Sequence, residues 1–279
     1  MKNLIIVAAV LCSLVQVATA QRAARSENKE MRALRQEMMQ ETMREAAQVK
    51  AQAAGQTAAG PSAADVGEPD SFGKNAQFLG VVGTGVVIID PTCNPADIGQ
   101  LGTDDRCILA SDPALSAPLG LTFNDLGRIT IPGKSVSNIV YLINNHQTNW
   151  TFENFTAANV FGRMSYSPSI TIESDALNDP AAIDPNTGLP MGGSFTTTGV
   201  GTKINTQTLF PGYSATRGET YTRANGLGLS RTFFASLGLP NHVIDKLYKK
   251  QMTIHLNIRL SARSVPFGTF FYSARLLGN

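Results

Sequence analysis

Three histidines, a pair of cysteines and one run of acids and amides are the residues of this chain whose types could do chemistry. His146, His242 and His255 stand far apart, so a histidine base would have to be assembled by folding, as catalytic triads are. The chain has no G-x-S-x-G, no P-loop, no glycine fingerprint opening a helix after a strand, and no H-E-x-x-H. A secreted enzyme with an active site not visible in the sequence is therefore expected to show a pocket holding His146 or His242 beside a carboxylate of shifted pKa. His255 belongs to an alternating stretch, where it falls on the solvent face of a strand.

Ser174–Gly193 is the richest polar stretch, with Asp175, Asn178, Asp179, Asp184 and Asn186 among three prolines. Asp175, Asp179, Asp184 and Asn186 are candidate calcium ligands, because carboxylate and amide oxygens suit a hard cation. Asp184–Gly188 reads D-x-N-x-G, but the twelfth position of such a loop is Phe195 instead of the required Glu. The same residue types are the standard makers of turns, and turns are the reading preferred here; no metal or other cofactor is firmly expected.

Cys12 falls within an apolar leader, which leaves Cys93 and Cys107 as a pair. In an oxidising compartment such a pair predicts a disulfide, closing a loop of about 15 residues for about 3 kcal/mol in the loop-entropy picture. A redox pair would prefer C-x-x-C, and zinc would need two more ligands nearby. Asn149-Trp150-Thr151 and Asn154-Phe155-Thr156 match the N-glycosylation pattern. Trp150, Tyr213 and Tyr221 are candidate aromatics for stacking against a sugar, although a lone Trp in a β-rich body is more often core.

Four segments must position these groups. Residues 1–20 read as a secretory signal: Lys2, an apolar run over Leu4–Val17 too short to span a bilayer, then Ala18-Thr19-Ala20 as a cleavage pattern. Residues 21–52 are an amphipathic helical arm of strong helix formers, with an apolar stripe through Met31, Leu34, Met38, Thr42, Ala46 and Val49. Its face would dock on a partner, on a sister subunit or back on its own domain, with Met31, Leu34, Met38 and Val49 as the expected contact. Residues 53–76, spaced by Gly and Pro among Ala and Ser, read as a flexible linker. Residues 77–279 are the globular body.

Within the body, Met252–Ser261 alternates apolar and polar, a strand with one wet face, and Phe267–Leu277 looks like its partner strand. Val86–Ile89 and Ile139–Ile143 are continuous apolar runs, as in strands covered on both faces. Further strands are expected around Trp150 and Phe152, and at Leu119–Phe123, Arg128–Ile131, Ser165–Ile172, Ser194–Thr198 and Lys203–Phe210. Ser230 is placed to cap a short helix ending near Gly238, and Pro240-Asn241 to open a second, reaching about Lys250. The fold class is mainly β: an antiparallel sandwich or barrel-like body with a short two-helix insertion, preceded by the N-terminal amphipathic helix.

Of 279 residues 43% are apolar and 16% charged, which excludes both wholesale disorder and a charged rod. A net charge of +2 gives no electrostatic case for nucleic acid. The sequence thus points to an exported, non-enzymatic structural, assembly or adhesion protein of the periplasm, cell surface or exterior. Its partner would be another protein or itself through the arm, with no transmembrane span after cleavage. A secreted carbohydrate-binding module is the alternative.

Overall fold

The computed structural model describes residues 33–54, 77–110, 118–197, 201–224 and 228–279. The expected leader, most of the linker, and Met31 lie outside those residues. The chain divides into two compact units, one ending at Glu41 and one running from Thr42 to Asn279. Residues 33–54 are helical (α1), which carries the helix two residues into the stretch expected as linker. Ala33–Glu41 are its turns in the first unit.

The second unit is mainly β, two sheets packed together, as the composition and turn spacing predicted. The seven-stranded sheet holds β1 (Gln77–Gly83), β2 (Val87–Asp90), β3 (Arg106–Leu109), β5 (Ile139–Glu153), β9 (Ser214–Ala224), β10 (Leu229–Ser230) and β12 (Phe267–Gly278). The five-stranded sheet holds β4 (Leu119–Ile131), β6 (Val160–Glu173), β7 (Ser194–Thr197), β8 (Lys203–Leu209) and β11 (Met252–Arg263). Pairing is antiparallel throughout except between β2 and β3. The core fills the space between the sheets: Leu142, Trp150, Phe152, Phe270 and Tyr272 from one side, Met164, Tyr166, Ile254, Leu256 and Ile258 from the other.

Several expected strands change partners or merge. Phe267–Leu277 does not pair with the alternating strand before it. The chain crosses between sheets at Ser264–Pro266, with Ser264 at φ 54°, so β11 lies between β4 and β6 while β12 lies against β5. A hairpin would have left the Phe270 and Tyr272 face without the opposing sheet that buries it. The runs Leu119–Phe123 and Arg128–Ile131 are one strand interrupted by a bulge, and Ile139–Ile143 continues through Trp150 and Phe152 as the single strand β5. Pro168, in the middle of β6, has no N–H to give; it stands where the outer neighbour of β6 changes from β8, last paired at Tyr166, to β7, first paired at Ile170.

Two short helices plug one end of the sandwich, α3 (Arg231–Ser236) and α4 (Asn241–Lys249), after a four-residue turn α2 at Pro95–Ile98. Ser230 caps α3 as its position predicted, its Oγ accepting from the Phe233 N–H at 3.0 Å. Gly238, at φ 85°, ends it. Val243, Ile244, Leu247 and Tyr248 bury the inner face of α4. The Cys93–Cys107 disulfide is formed and ties the turn between β2 and α2 to β3.

From Thr42 onward, α1 seats on the outer face of the seven-stranded sheet. Thr42 and Ala46 are buried. The Thr42 hydroxyl lies 3.2 Å from that of Thr269 and accepts from Asn149 Nδ2 at 3.1 Å. Val49 covers Gly83, its Cγ1 2.9 Å from where a Cβ would stand. Thr42, Ala46 and Val49 are the small end of the stripe read from the sequence, and small residues let a helix lie close on a sheet. No helix among the described residues is long and apolar enough to cross a membrane.

Candidate functional site

The outer face of the five-stranded sheet carries a polar cleft. It starts from the alternation of β11, which turns Thr253, His255 and Asn257 away from the core. Opposite Asn257 the pairing slips. Leu256 stands against Gly127 but Ile258 against Phe123, so Asn124–Leu126 bulge out of β4. Asp125 at the bulge has φ 56°, a left-handed conformation that Asp tolerates better than most residues. Asn257 pins it: its Oδ1 accepts from the Asp125 N–H at 2.8 Å while its Nδ2 donates to Thr171 Oγ1 at 2.9 Å. Leu126 returns to the core, and its carbonyl accepts from the Gly85 N–H at 3.0 Å, closing that edge of the sandwich onto the other sheet.

The bulge aims Asp125 at His255. Asp125 Oδ1 is 2.8 Å from His255 Nδ1, and Glu173 Oε2 is 3.0 Å from Nε2. The other Asp125 oxygen is 3.6 Å from the Arg128 guanidinium. His255 thus stands on the outer face, as the alternation predicts, and is clamped there between two carboxylates with its side chain 13% exposed. The cleft above it encloses about 680 Å³. Its far wall is the turn-rich segment after β6, where Ser174 Oγ donates to the Gln251 carbonyl at 2.9 Å and the Ser174 and Gly193 N–H groups donate to the carbonyls of Gly193 and Leu177. Gly193 is at φ 93°, and a Cβ there would stand 3.0 Å from Asn178 Oδ1, so only glycine lets the wall close. Asp179 anchors this wall to α4, with Lys246 Nζ at 2.7 Å and His242 Nε2 at 3.6 Å. The Lys246 hydrogen bond, then that of the Ala181 N–H, holds the Asp179 carboxyl below its usual range.

The structure brings some of the expected site residues here and disperses others. Asp175 lines the cleft. Asp179 is taken by Lys246, and Asp184 accepts from the Asn186 N–H at 2.9 Å in its own turn. The four calcium candidates therefore do not converge, and no group of three or more His, Cys, Asp or Glu among the described residues could hold a metal ion. His146 is 1% exposed in the core against Tyr272, Tyr166 and Phe270. Burial, then the Lys203 charge, pushes its pKa down to about 4. Trp150 is core as well, edge-on to Phe152. Tyr213 is half-buried, its hydroxyl accepting from Gln207 Nε2; the side chain of Tyr221, on β9, lies outside the described residues. The sugar-stacking platform of Trp150, Tyr213 and Tyr221 is therefore not assembled on the surface by Trp150. Both sequon amides are buried: Asn149 donates to Thr42, and Asn154 to the carbonyls of Ala158 and Leu209. Of the expected arm contacts, Leu34 is 41% exposed, Met38 is half-buried and Val49 faces Gly83.

Asp125, Glu173, Asn257 and Thr171 were not singled out by sequence reasoning. One signal pointed to them: the Asn124-Asp125-Leu126-Gly127 break between two strand-like runs, which is the bulge. The lining offers amides, hydroxyls and carboxylates, with no Lys, Arg, Phe, Tyr or Trp among its residues. Both His255 ring nitrogens are engaged, so the ring could serve as a base only by leaving one carboxylate.

No protein family matches this sequence, and no curated protein matches it. Among solved structures the chain is similar to a carbohydrate-binding module specific for non-crystalline cellulose, at 9% identity over 62% of this chain and 80% of that one, with a TM-score of 0.21. It is similar also to the VP2 subviral particle of infectious bursal disease virus, at 9% identity over 62% and 37% of the two chains and a TM-score of 0.16. A carbohydrate-binding module of Cel9A from Ruminococcus flavefaciens FD-1 gives 12% identity over 57% and 98%, with a TM-score of 0.13. Likenesses this distant carry no argument about function.

Proposed function

We propose that this chain is an exported, non-enzymatic adhesion module of the cell envelope or surface that binds carbohydrate in the polar cleft. The observation that carries the reading is the pinned bulge: Asn257 fixes Asp125, Asp125 and Glu173 fix His255, and together they form a rigid floor of acceptors and donors beneath a cleft of about 680 Å³. Pre-set polar groups of this kind suit the vicinal hydroxyls of a sugar, because a hydroxyl both donates and accepts. Catalysis is disfavoured by the engagement of both His255 nitrogens and by the binding of the Ser174 hydroxyl to the Gln251 carbonyl. Export is supported by the leader pattern and by the disulfide, which persists in oxidising compartments. A glycan array probed with the chain from residue 21 onward tests the reading. Binding of neutral oligosaccharides that is lost on Glu173→Ala is expected; an array without signal, or one indifferent to that change, refutes it.

Assembly through the arm is the second reading, favoured by the exposure of Leu34. Light scattering on a chain lacking residues 21–60 tests it, and an unchanged mass removes the arm from any assembly.

A further inference from the structure

The outer face of the five-stranded sheet continues from the cleft to the opposite end of β6 and β11, and its charge reverses on the way. Cross-strand pairs run His255 with Thr171, Asn257 with Ser169, Arg259 with Ser167, Ser261 with Ser165, and Arg263 with Arg163. The neighbours Met164, Leu260 and Ala262 point into the core, so these arginines take the outward positions. Arg163 and Arg263 are half-exposed and stand directly opposite each other; Arg259 is exposed on the same face. Among the described residues none of the three has a carboxylate within ion-pair distance. Among the described residues the Arg163 Nε is also buried without a hydrogen-bond partner.

Like charges placed directly across a pair of strands destabilise the sheet, and a buried unpartnered donor adds to the cost. An anion on this face would relieve both. Guanidinium groups match carboxylate and sulfate with paired N–H donors, and the flanking Ser165, Ser261 and Thr206 supply hydroxyls beside them. Arg259 and Arg263 lie four residues apart on one strand face, roughly 13 Å at about 3.3 Å per residue. Cations repeated along a strand suit a linear polymer with repeated negative charges better than a single small anion.

We propose that this end of the sheet binds the acidic groups of an anionic polysaccharide whose chain lies along β11. The proposal rests on the reading of the same sheet face as a carbohydrate surface and adds the class of sugar. The test compares binding of the full chain to immobilised dextran sulfate, polygalacturonate and neutral dextran, with inorganic sulfate as competitor and vesicles of anionic phospholipid as a separate arm. Preference for both acidic polymers is expected, with affinity falling on the order of tenfold in the Arg163→Gln/Arg263→Gln variant and in high salt. That variant removes a like-charge pair, so its melting midpoint should not fall, which separates lost binding from lost folding. Equal binding to neutral dextran, unchanged binding by the arginine variant, full displacement by millimolar sulfate, or vesicle binding as tight as polymer binding would each overturn the proposal. Failure of the cleft reading is distinct: it appears as absence of neutral oligosaccharide binding while the arginine-dependent binding to acidic polymer persists.

Discussion

Replacing Asn257 with Ala removes the side chain that holds the bulge, and the cost can be worked from the geometry. Asn257 is 3% exposed and lines the cleft. The Asp125 N–H, on an exposed residue, loses its acceptor at 2.8 Å, which costs about 1–2 kcal/mol. Thr171 keeps a partner in Thr196 at 2.7 Å and adds little. The left-handed backbone of Asp125 is strained in the native chain as well, so it adds no cost to the variant. The loss is therefore about 1–2 kcal/mol. For a domain of this size that lowers the melting midpoint by roughly 2–8 °C. Urea unfolding followed by fluorescence measures it directly. A second background sharpens the test: Asp125→Gly keeps the backbone N–H that Asn257 accepts and relieves the left-handed strain, so Asn257→Ala should cost about as much there as in the native chain. A loss below about 0.5 kcal/mol in both backgrounds would show that Asn257 does not hold the bulge and would remove the physical basis assigned to the cleft floor.

Three further outcomes follow from the core and its staples. The pKa of His146 is lowered to about 4 from 6.5, so between those values the unfolded chain binds the extra proton. Stability should therefore be complete above pH 6.5 and fall by about 3 kcal/mol as pH drops toward 4; urea midpoints taken across that window should lose this slope in His146→Phe. Cys93→Ser/Cys107→Ser should cost about 3 kcal/mol by the loop-entropy estimate, read as a drop in urea midpoint that reducing agent reproduces in the native chain. Asn149 and Asn154 are buried with their amides engaged, so folded protein made in a glycosylating host should show no mass gain at either site by mass spectrometry.

What could be read in advance followed local physics, and what could not depended on contacts distant in sequence. The α3 and α4 boundaries were visible because Ser230, Gly238 and Pro240 act on their own neighbours. The period of β11 was visible because alternation records which side is dry. The identity of its neighbours was not, since Ser264–Pro266 reads equally well as a hairpin turn or as a crossover between sheets. The same limit hid the site. Glu173 and Asp125 lie far from His255 in sequence, and only the register of β4, β11 and β6 places them on its two nitrogens. His146 and His242 drew attention as possible bases, yet one is core and the other faces Asp179 behind the cleft wall.

The location of the cleft follows from how the two outer faces are finished. β5 and β12 are buried along nearly their whole length: Asn149, Thr269 and Phe271 point away from the core and are still covered. Strands with that pattern need a layer on each side, and from Thr42 onward α1 provides part of the second one. β11 and β6 alternate instead, with Arg163, Ser165, Ser167, Ser169 and Thr171 facing Arg263, Ser261, Arg259, Asn257 and His255 across the outer surface. A helix seated there would have to desolvate three arginines and a row of hydroxyls with nothing to compensate them. The face is therefore built to meet water or a polar ligand. The bulge at Asp125 then supplies what a flat strand surface lacks, a side chain re-aimed along the sheet and a wall against which a ligand can be held.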